Sequence, residues 1–310
     1  MLFTPTPEQQ QLADMVQRFL GENYSFESRR KIQDSREGWS REIWSKLAEL
    51  GLLSLQVPEA QGGLAPAVVE TLLTATATGK AMLLEPWVSS AVIATVLVRE
   101  LGSAEQREEM LPALAGGECV AVPAHFEAGS RYDLQRVATS ARRSGGGWVL
   151  EGRKSVVLHA PAADHLLVSA RTAGAPDEAR GISLFAVHRE SPGVSLSPYR
   201  TLDGTCAADV DLAGADGTLV GREGMAFDGL SAAFDLGLAA RCAEAVGALQ
   251  AILDATVDYT KTRHQFGVPI ARFQALQHRM ADMLIHVEQA RSMSYLAAMR
   301  AAEPPGRERR

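Results

Sequence analysis

Residues 139–158 read TSARRSGGGWVLEGRKSVVL. Thr139 to Arg142 and Trp148 to Glu151 are short runs on either side of Gly145, Gly146 and Gly147, and Ser155 to Leu158 forms a third. A glycine triplet between two such runs signals a hairpin, because a tight turn needs backbone angles that glycine adopts without a steric cost. His165 to Ala170 and Ile182 to Val187 repeat the pattern, with glycine, proline and aspartate between them. No helix-length segment separates these runs. That predicts an antiparallel sheet or small barrel over 118–222 and argues against a Rossmann unit.

Both flanks read as helix. Upstream, Thr6 with Pro7 and Gln9 opens a helix whose Leu12, Val16, Phe19 and Leu20 share a face. Ser40 caps a second helix through Trp44, Leu47 and Leu50, stopped at Gly51, and Ser103 with Gln106 repeats the capping box. Downstream of Gly224, one long helix runs to about Arg263 and another from about Phe273 to Arg300, with a corner at Gly267 and Pro269. Leu276, Met280, Met283, Leu284 and Val287 form an apolar stripe on the second, which predicts a face that seeks cover. The expected fold is therefore α+β and multidomain. It has an N-terminal helical domain (1–117), a central antiparallel, barrel-like β-domain (118–222) and a C-terminal helical hairpin (223–310), an incomplete bundle with a polar, frayed end from Ala301 to Arg310.

A formal charge of −6 leaves no cationic excess for a nucleic-acid backbone. Met1 to Gln11 lacks the basic start and apolar stretch of a secretory signal, and the near-apolar run Val88 to Val98 is too short to span a bilayer. Cys119, Cys206 and Cys242 are widely spaced, which fits reduced core residues of a cytoplasmic protein better than disulfides or a metal site.

Several strings narrow this order to a family. Leu47-Ala-Glu-Leu-Gly-Leu-Leu with Val57-Pro-Glu-Ala-Gln-Gly-Gly resembles the first-domain signature of acyl-CoA dehydrogenases. Gly102-Ser-Ala-Glu-Gln-Arg and Leu111-Pro-Ala-Leu-Ala-Gly-Gly-Glu resemble that family's approach to its β-domain, and Arg263-His-Gln-Phe-Gly with a following Gln274 resembles its third-domain FAD motif. Ser130-Arg-Tyr-Asp-Leu, Lys154-Ser-Val-Val-Leu-His and Thr201-Leu-Asp-Gly-Thr-Cys-Ala-Ala-Asp-Val are similar to small subunits of bacterial pimeloyl-CoA dehydrogenases.

The resemblance implies FAD-dependent oxidation of an acyl-CoA to the 2-enoyl-CoA, beside a large subunit and with an electron-transfer flavoprotein as acceptor. It implies that Arg263 and Gln274 reach FAD bound mainly by a neighbouring subunit, that Phe266 packs near that cofactor, and that Ser130 meets a phosphate or CoA atom. A guanidinium suits a pyrophosphate because its planar donors form charge-assisted bonds to phosphate oxygens. Asp235 resembles a substrate contact, but Leu238 stands where the family pattern has an arginine.

Other departures bear on catalysis. Val156, Val157 and Leu158 replace a Trp-Ile-Thr string, removing a stacking ring and a hydroxyl donor. One family position for the catalytic base matches Gly237 and the other would lie beyond Arg310, so no catalytic residue is assigned. His125, His159 and His264 have no orienting partner visible in the sequence, although His125 and Glu127 fall near the expected flavin. Glu244 stands out as a carboxylate on an alanine-rich face. The alternatives are a structural partner subunit or pseudoenzyme without catalysis, and a homomeric dehydrogenase with an unusual flavin pocket whose base lies in a segment outside this sequence.

Overall fold

The computed structural model describes residues 5–64 and 67–301, so the end predicted to fray lies, past Ala301, outside the described residues. Its helices are α1 (Pro7–Asn23), α2 (Phe26–Asp34), α3 (Arg41–Glu49), α4 (Val68–Ala81), α5 (Thr95–Leu101), α6 (Ala104–Ala115), α7 (Phe227–Thr262) and α8 (Gln274–Ala301). The strands are β1 (Ala121–Ala124), β2 (Ser140–Ser144), β3 (Gly147–Leu158), β4 (His165–Arg171), β5 (Ile182–His188), β6 (Val194–Arg200), β7 (Cys206–Val220), β8 (His264–Gln265) and β9 (Val268–Pro269). They fall into two compact units: Met1–Phe26, Val68–Leu83 and Leu238–Arg310 form one, and Glu27–Ala67 with Leu84–Gly237 the other.

The predicted caps form. Thr6 and Gln9 exchange side-chain and backbone hydrogen bonds at the start of α1, Ser103 and Gln106 do the same at α6, and Ser40 Oγ accepts the Ile43 N–H at α3. Each pairing satisfies donors that a helix start leaves open. In the first unit α4 and α7 approach backbone to backbone, which only glycine permits. A Cβ at Gly79 would lie 2.0 Å from Glu244 O, and one at Gly247 2.0 Å from Thr76 O.

The second unit holds the sheet. β2 and β3 form the predicted hairpin, with Gly145 and Gly146 at φ +56° and +88° in the turn. Neighbouring strands run β4, β2, β3, β7, β5, and β5 pairs back onto β4, so the sheet closes on itself as a barrel. β1 extends it at β4 and β6 at β7. Most pairings are antiparallel as expected, but β1 and β2 each meet β4 in parallel.

Val88 to Val98 is the predicted buried helix, wound as a π-helical stretch over Trp87–Ala94 that continues into α5. α7 is, by length and composition, apolar enough to cross a membrane, which the sequence reading missed. Its apolar character is that of a core helix: Leu230, Ala233 and Leu236 are buried in the second unit, and Ala240, Ala243 and Val246 in the first. The stripe on α8 is less exposed than predicted. Val287 is buried and Leu276, Met280 and Met283 are half-buried, while the exposed apolar residues are Leu284, Ile285, Met293 and Leu296.

Candidate functional site

The sheet of the second unit encloses a charge. Alternation along β3 places Lys154 on the same inward face as Leu150, and Lys154 is completely buried (0% exposed). Its ammonium donates to Glu127 Oε1 (2.7 Å), His125 O (3.0 Å) and Ser169 Oγ (3.2 Å). Three donors thus meet three acceptors, which is what makes a buried ammonium tolerable. The Glu127 carboxylate also accepts the N–H groups of Ala138 (2.8 Å) and Thr139 (3.0 Å). Ser169 Oγ lies 2.8 Å from His125 Nδ1, and the His125 ring packs against both Phe126 and Phe234, with centroids 5.3 and 5.2 Å away.

These contacts set the protonation states. Burial, reinforced by the Lys154 charge, pushes the His125 imidazole down to about 3, against the opposing pull of Glu127 and a hydrogen bond to the Leu134 backbone. Burial lowers Lys154 to about 8, with Glu127 opposing and Arg171 adding to the fall. Burial alone would raise the Glu127 carboxyl, but the Lys154 charge and the donors from Lys154 and Thr139 outweigh it and hold the carboxyl below its ordinary value. At neutral pH the cluster is a Lys–Glu ion pair beside a neutral histidine. Arg171 stands nearby as a fixed cation, its guanidinium bonded to the backbone carbonyls of Gln135, Val137, Pro176, Glu178 and Arg180. Sequence reading singled out His125 and Glu127 but missed Lys154 and Ser169.

In the first unit, the corner between α7 and α8 is a two-residue hairpin. Phe266 and Gly267 occupy its turn at φ +55° and +79°, with His264 paired to Pro269 and Gln265 to Val268. A phenylalanine in the left-handed region is a strained choice, and this one is 92% exposed, its ring meeting Phe273 edge-on. Arg263 precedes the hairpin and Gln274 begins α8, both exposed, and neither side chain makes a hydrogen bond or ion pair among the described residues. The corner therefore presents a free guanidinium, a free amide and an exposed aromatic ring. His264 beside them turns its Nδ1 to Thr262 O (3.0 Å).

The remaining sequence candidates lie elsewhere. Ser130 is buried, and its hydroxyl donates to Glu127 O (2.9 Å) while accepting the Glu127 N–H (3.1 Å), so in this conformation its proton is committed to closing the turn. Asp235 is exposed on α7 next to Phe234. Gly237 is buried beneath Ile93, whose Cγ1 and Cδ1 would lie 2.5 and 2.6 Å from an added Cβ. A base cannot be accommodated there without moving Ile93. Val156 sits on a β-bulge at φ +54°, half exposed, with its N–H held by Asp209 Oδ1 (3.0 Å). His159 is buried and oriented by Ser89 Oγ (3.0 Å) and Leu84 O (3.1 Å), and Glu244 pairs with Arg241 (2.6 Å). Both are structural ties.

Three family models match in order: the acyl-CoA dehydrogenase N-terminal domain over 6–118, the middle domain over 124–211 and the C-terminal domain over 227–309. Benzylmalonyl-CoA dehydrogenase of Aromatoleum aromaticum is 30% identical over 307 residues, covering 96% of this chain and 80% of that protein. The chain belongs to the acyl-CoA dehydrogenase family.

Other acyl-CoA dehydrogenases share the likeness unevenly. The mitochondrial short-chain specific acyl-CoA dehydrogenase of Rattus norvegicus is 30% identical over 267 residues, which cover 82% of this chain but 63% of that relative, so the chain spans under two thirds of it. Among solved structures, the ChsE4–ChsE5 complex of Mycobacterium tuberculosis matches with a TM-score of 0.87 and 29% identity, over 98% of this chain and 80% of that one. The family implies FAD, and the two candidate surfaces fit it unequally. The corner fits: Arg263 has free donors for phosphate oxygens, and Phe266 offers a ring. At the end of β3, Val156 offers apolar contact, and Val156, Val157 and Leu158 themselves bring neither a stacking ring nor a side-chain donor.

Proposed function

We propose that this chain is a subunit of an FAD-dependent acyl-CoA dehydrogenase, organised as an N-terminal domain (1–117), a middle domain (118–222) and a C-terminal domain (223–310). It oxidises an acyl-CoA to the 2-enoyl-CoA together with a large subunit. The observation that carries this reading is the strained, exposed corner at Phe266, flanked by the unpartnered Arg263 and Gln274. Arg263 binds the pyrophosphate of FAD held mainly by the partner, Gln274 adds a hydrogen bond, and Phe266 packs beside the cofactor. Bound there, FAD would supply the hydride acceptor for the substrate β-carbon, while a base would take the α-proton. Gly237 cannot be that base, and in this reading the partner supplies the carboxylate. Asp235 and the Gly129–Ser130 turn meet the acyl-CoA on this chain.

The strings at Ser130, Lys154 and Thr201 support a pimeloyl-CoA dehydrogenase small subunit acting on a dicarboxylyl or aromatic-degradation thioester. The heteromeric ChsE4–ChsE5 relative supports the two-subunit arrangement. Reoxidation falls to an electron-transfer flavoprotein, and the protein works in the cytoplasm. Removing Arg263 breaks two or more charge-assisted bonds, so Arg263→Ala in the purified pair is expected to weaken flavin retention by at least tenfold. Equilibrium dialysis followed by flavin absorbance reads this directly, and unchanged retention removes the corner from the cofactor site. The packing of Ile93 over Gly237 favours one second reading, a structural partner subunit, which predicts full activity of the pair after both Arg263 and Gln274 are replaced.

A further inference from the structure

The backbone segment from His125 to Ser130 is fixed to the sheet by more bonds than a turn needs. Lys154 reaches it twice, at the carbonyl of His125 and the carboxylate of Glu127, and the adjacent Ser155 N–H donates to Phe126 O (2.8 Å). Glu127 passes the constraint in two directions. Its carboxylate holds Ala138 and Thr139, and its backbone exchanges bonds with Ser130 through the hydroxyl and through the Ser130 N–H (3.1 Å). The exposed end of this chain of contacts is Gly129, at φ +82° with open space around it. An apolar pair of the same shape would fill the interior at lower desolvation cost, so burying an ammonium here needs another reason.

We propose that Lys154, acting through Glu127, is a positioning residue that holds the Glu127–Ser130 turn in place to receive the acyl-CoA. This rests on the reading of the chain as an acyl-CoA dehydrogenase subunit whose Gly129–Ser130 turn meets the thioester ligand. The ion pair fixes the turn from below, leaving its outer backbone groups for the ligand. The groups facing Lys154 are Glu127, His125 and Arg171, and of these only Arg171 repels it in the neutral range. Above about pH 8 the ammonium begins to lose its proton, and the turn loses its anchor.

The double variant Lys154→Met with Glu127→Gln separates positioning from stability. It removes both charges together, so neither is left buried without a partner, and the fold is retained. In the flavin-loaded pair, the double variant is expected to raise KM for the acyl-CoA at least fivefold with kcat within twofold of the parent. Direct titration with the 2-enoyl-CoA product shows the same loss of affinity. The parent's KM rises above about pH 8, whereas the double variant's stays flat. Unchanged product affinity and an unchanged pH profile in a folded double variant overturn the proposal while leaving the dehydrogenase reading intact. A parent pair that binds no acyl-CoA at all defeats that reading, and the proposal with it.

Discussion

Lys154→Met alone lowers the unfolding free energy by about 3–4 kcal/mol, seen as a lower urea midpoint at an unchanged slope. The lysine is fully buried and its partner Glu127 nearly so, with a side chain 10% exposed. Removing the cation leaves a carboxylate in the sheet interior whose remaining donors are the Ala138 and Thr139 N–H groups. Those two bonds keep the loss toward the lower end of what breaking a buried pair costs. Adding Glu127→Gln is expected to recover most of the loss, because an amide oxygen can still accept one of the two N–H groups. A double variant no more stable than Lys154→Met would show that Glu127 stays comfortably charged without the lysine.

The second large effect is on acid stability. His125 titrates at about 3 in the folded protein against 6.5 for an ordinary histidine. A depressed imidazole adds nothing when both states are neutral, so it has no effect well above pH 6.5. As the pH falls below 6.5 the unfolded chain takes up a proton that the folded chain refuses, and stability is lost until about pH 3, where the folded state is protonated too. At about 1.4 kcal/mol per unit, the full loss is roughly 4–5 kcal/mol. Glu127 works in the same direction, but its loss comes below its ordinary value of 4.5. Between 6.5 and 4.5 the histidine contribution can be isolated by difference. The unfolding free energy of the parent, read from urea titrations, should fall by about 2–3 kcal/mol more than that of His125→Gln across that window, and parallel curves would place His125 in contact with solvent.

What the sequence revealed depended on how local the signal was. The capping pairs Thr6–Gln9 and Ser103–Gln106 span three residues each, so they could be read and then found in place. The glycine turn before β3 was equally local. β3 itself was read as two runs because Gly152 interrupts it, yet it is one strand. Gly152 is there because β2 and its lead-in pass close by: a Cβ would lie 2.6 Å from Thr139 Oγ1. β7 was missed. Its CAADVDLAGADGTLV has too much alanine, aspartate and glycine to look like a strand, and it is held by pairing with β3, β5 and β6, which no local pattern shows.

The candidate site was legible to the same degree. Strand alternation alone places Lys154 on the buried face of Leu150, a signal that was present and unused. Its partners Glu127 and Ser169 arrive from other strands and loops, so the ion pair exists only once the sheet has closed. Arg263, Phe266 and Gln274 were found through a family string, and the structure adds what the string could not carry: the left-handed turn that exposes Phe266 and the absence of any side-chain partner for Arg263 among the described residues. Gly237 showed only a missing carboxylate in the sequence. The packing of Ile93 shows that no side chain can stand there without rearrangement.

The most direct test of the account is flavin absorbance per polypeptide, measured on this chain alone and again after purification with its candidate large subunit. A shared site completed by Arg263 and Gln274 predicts little flavin on the isolated chain and a stoichiometric amount on the pair. Stoichiometric flavin on the isolated chain would contradict it, showing that the Val156 surface holds the cofactor without a partner.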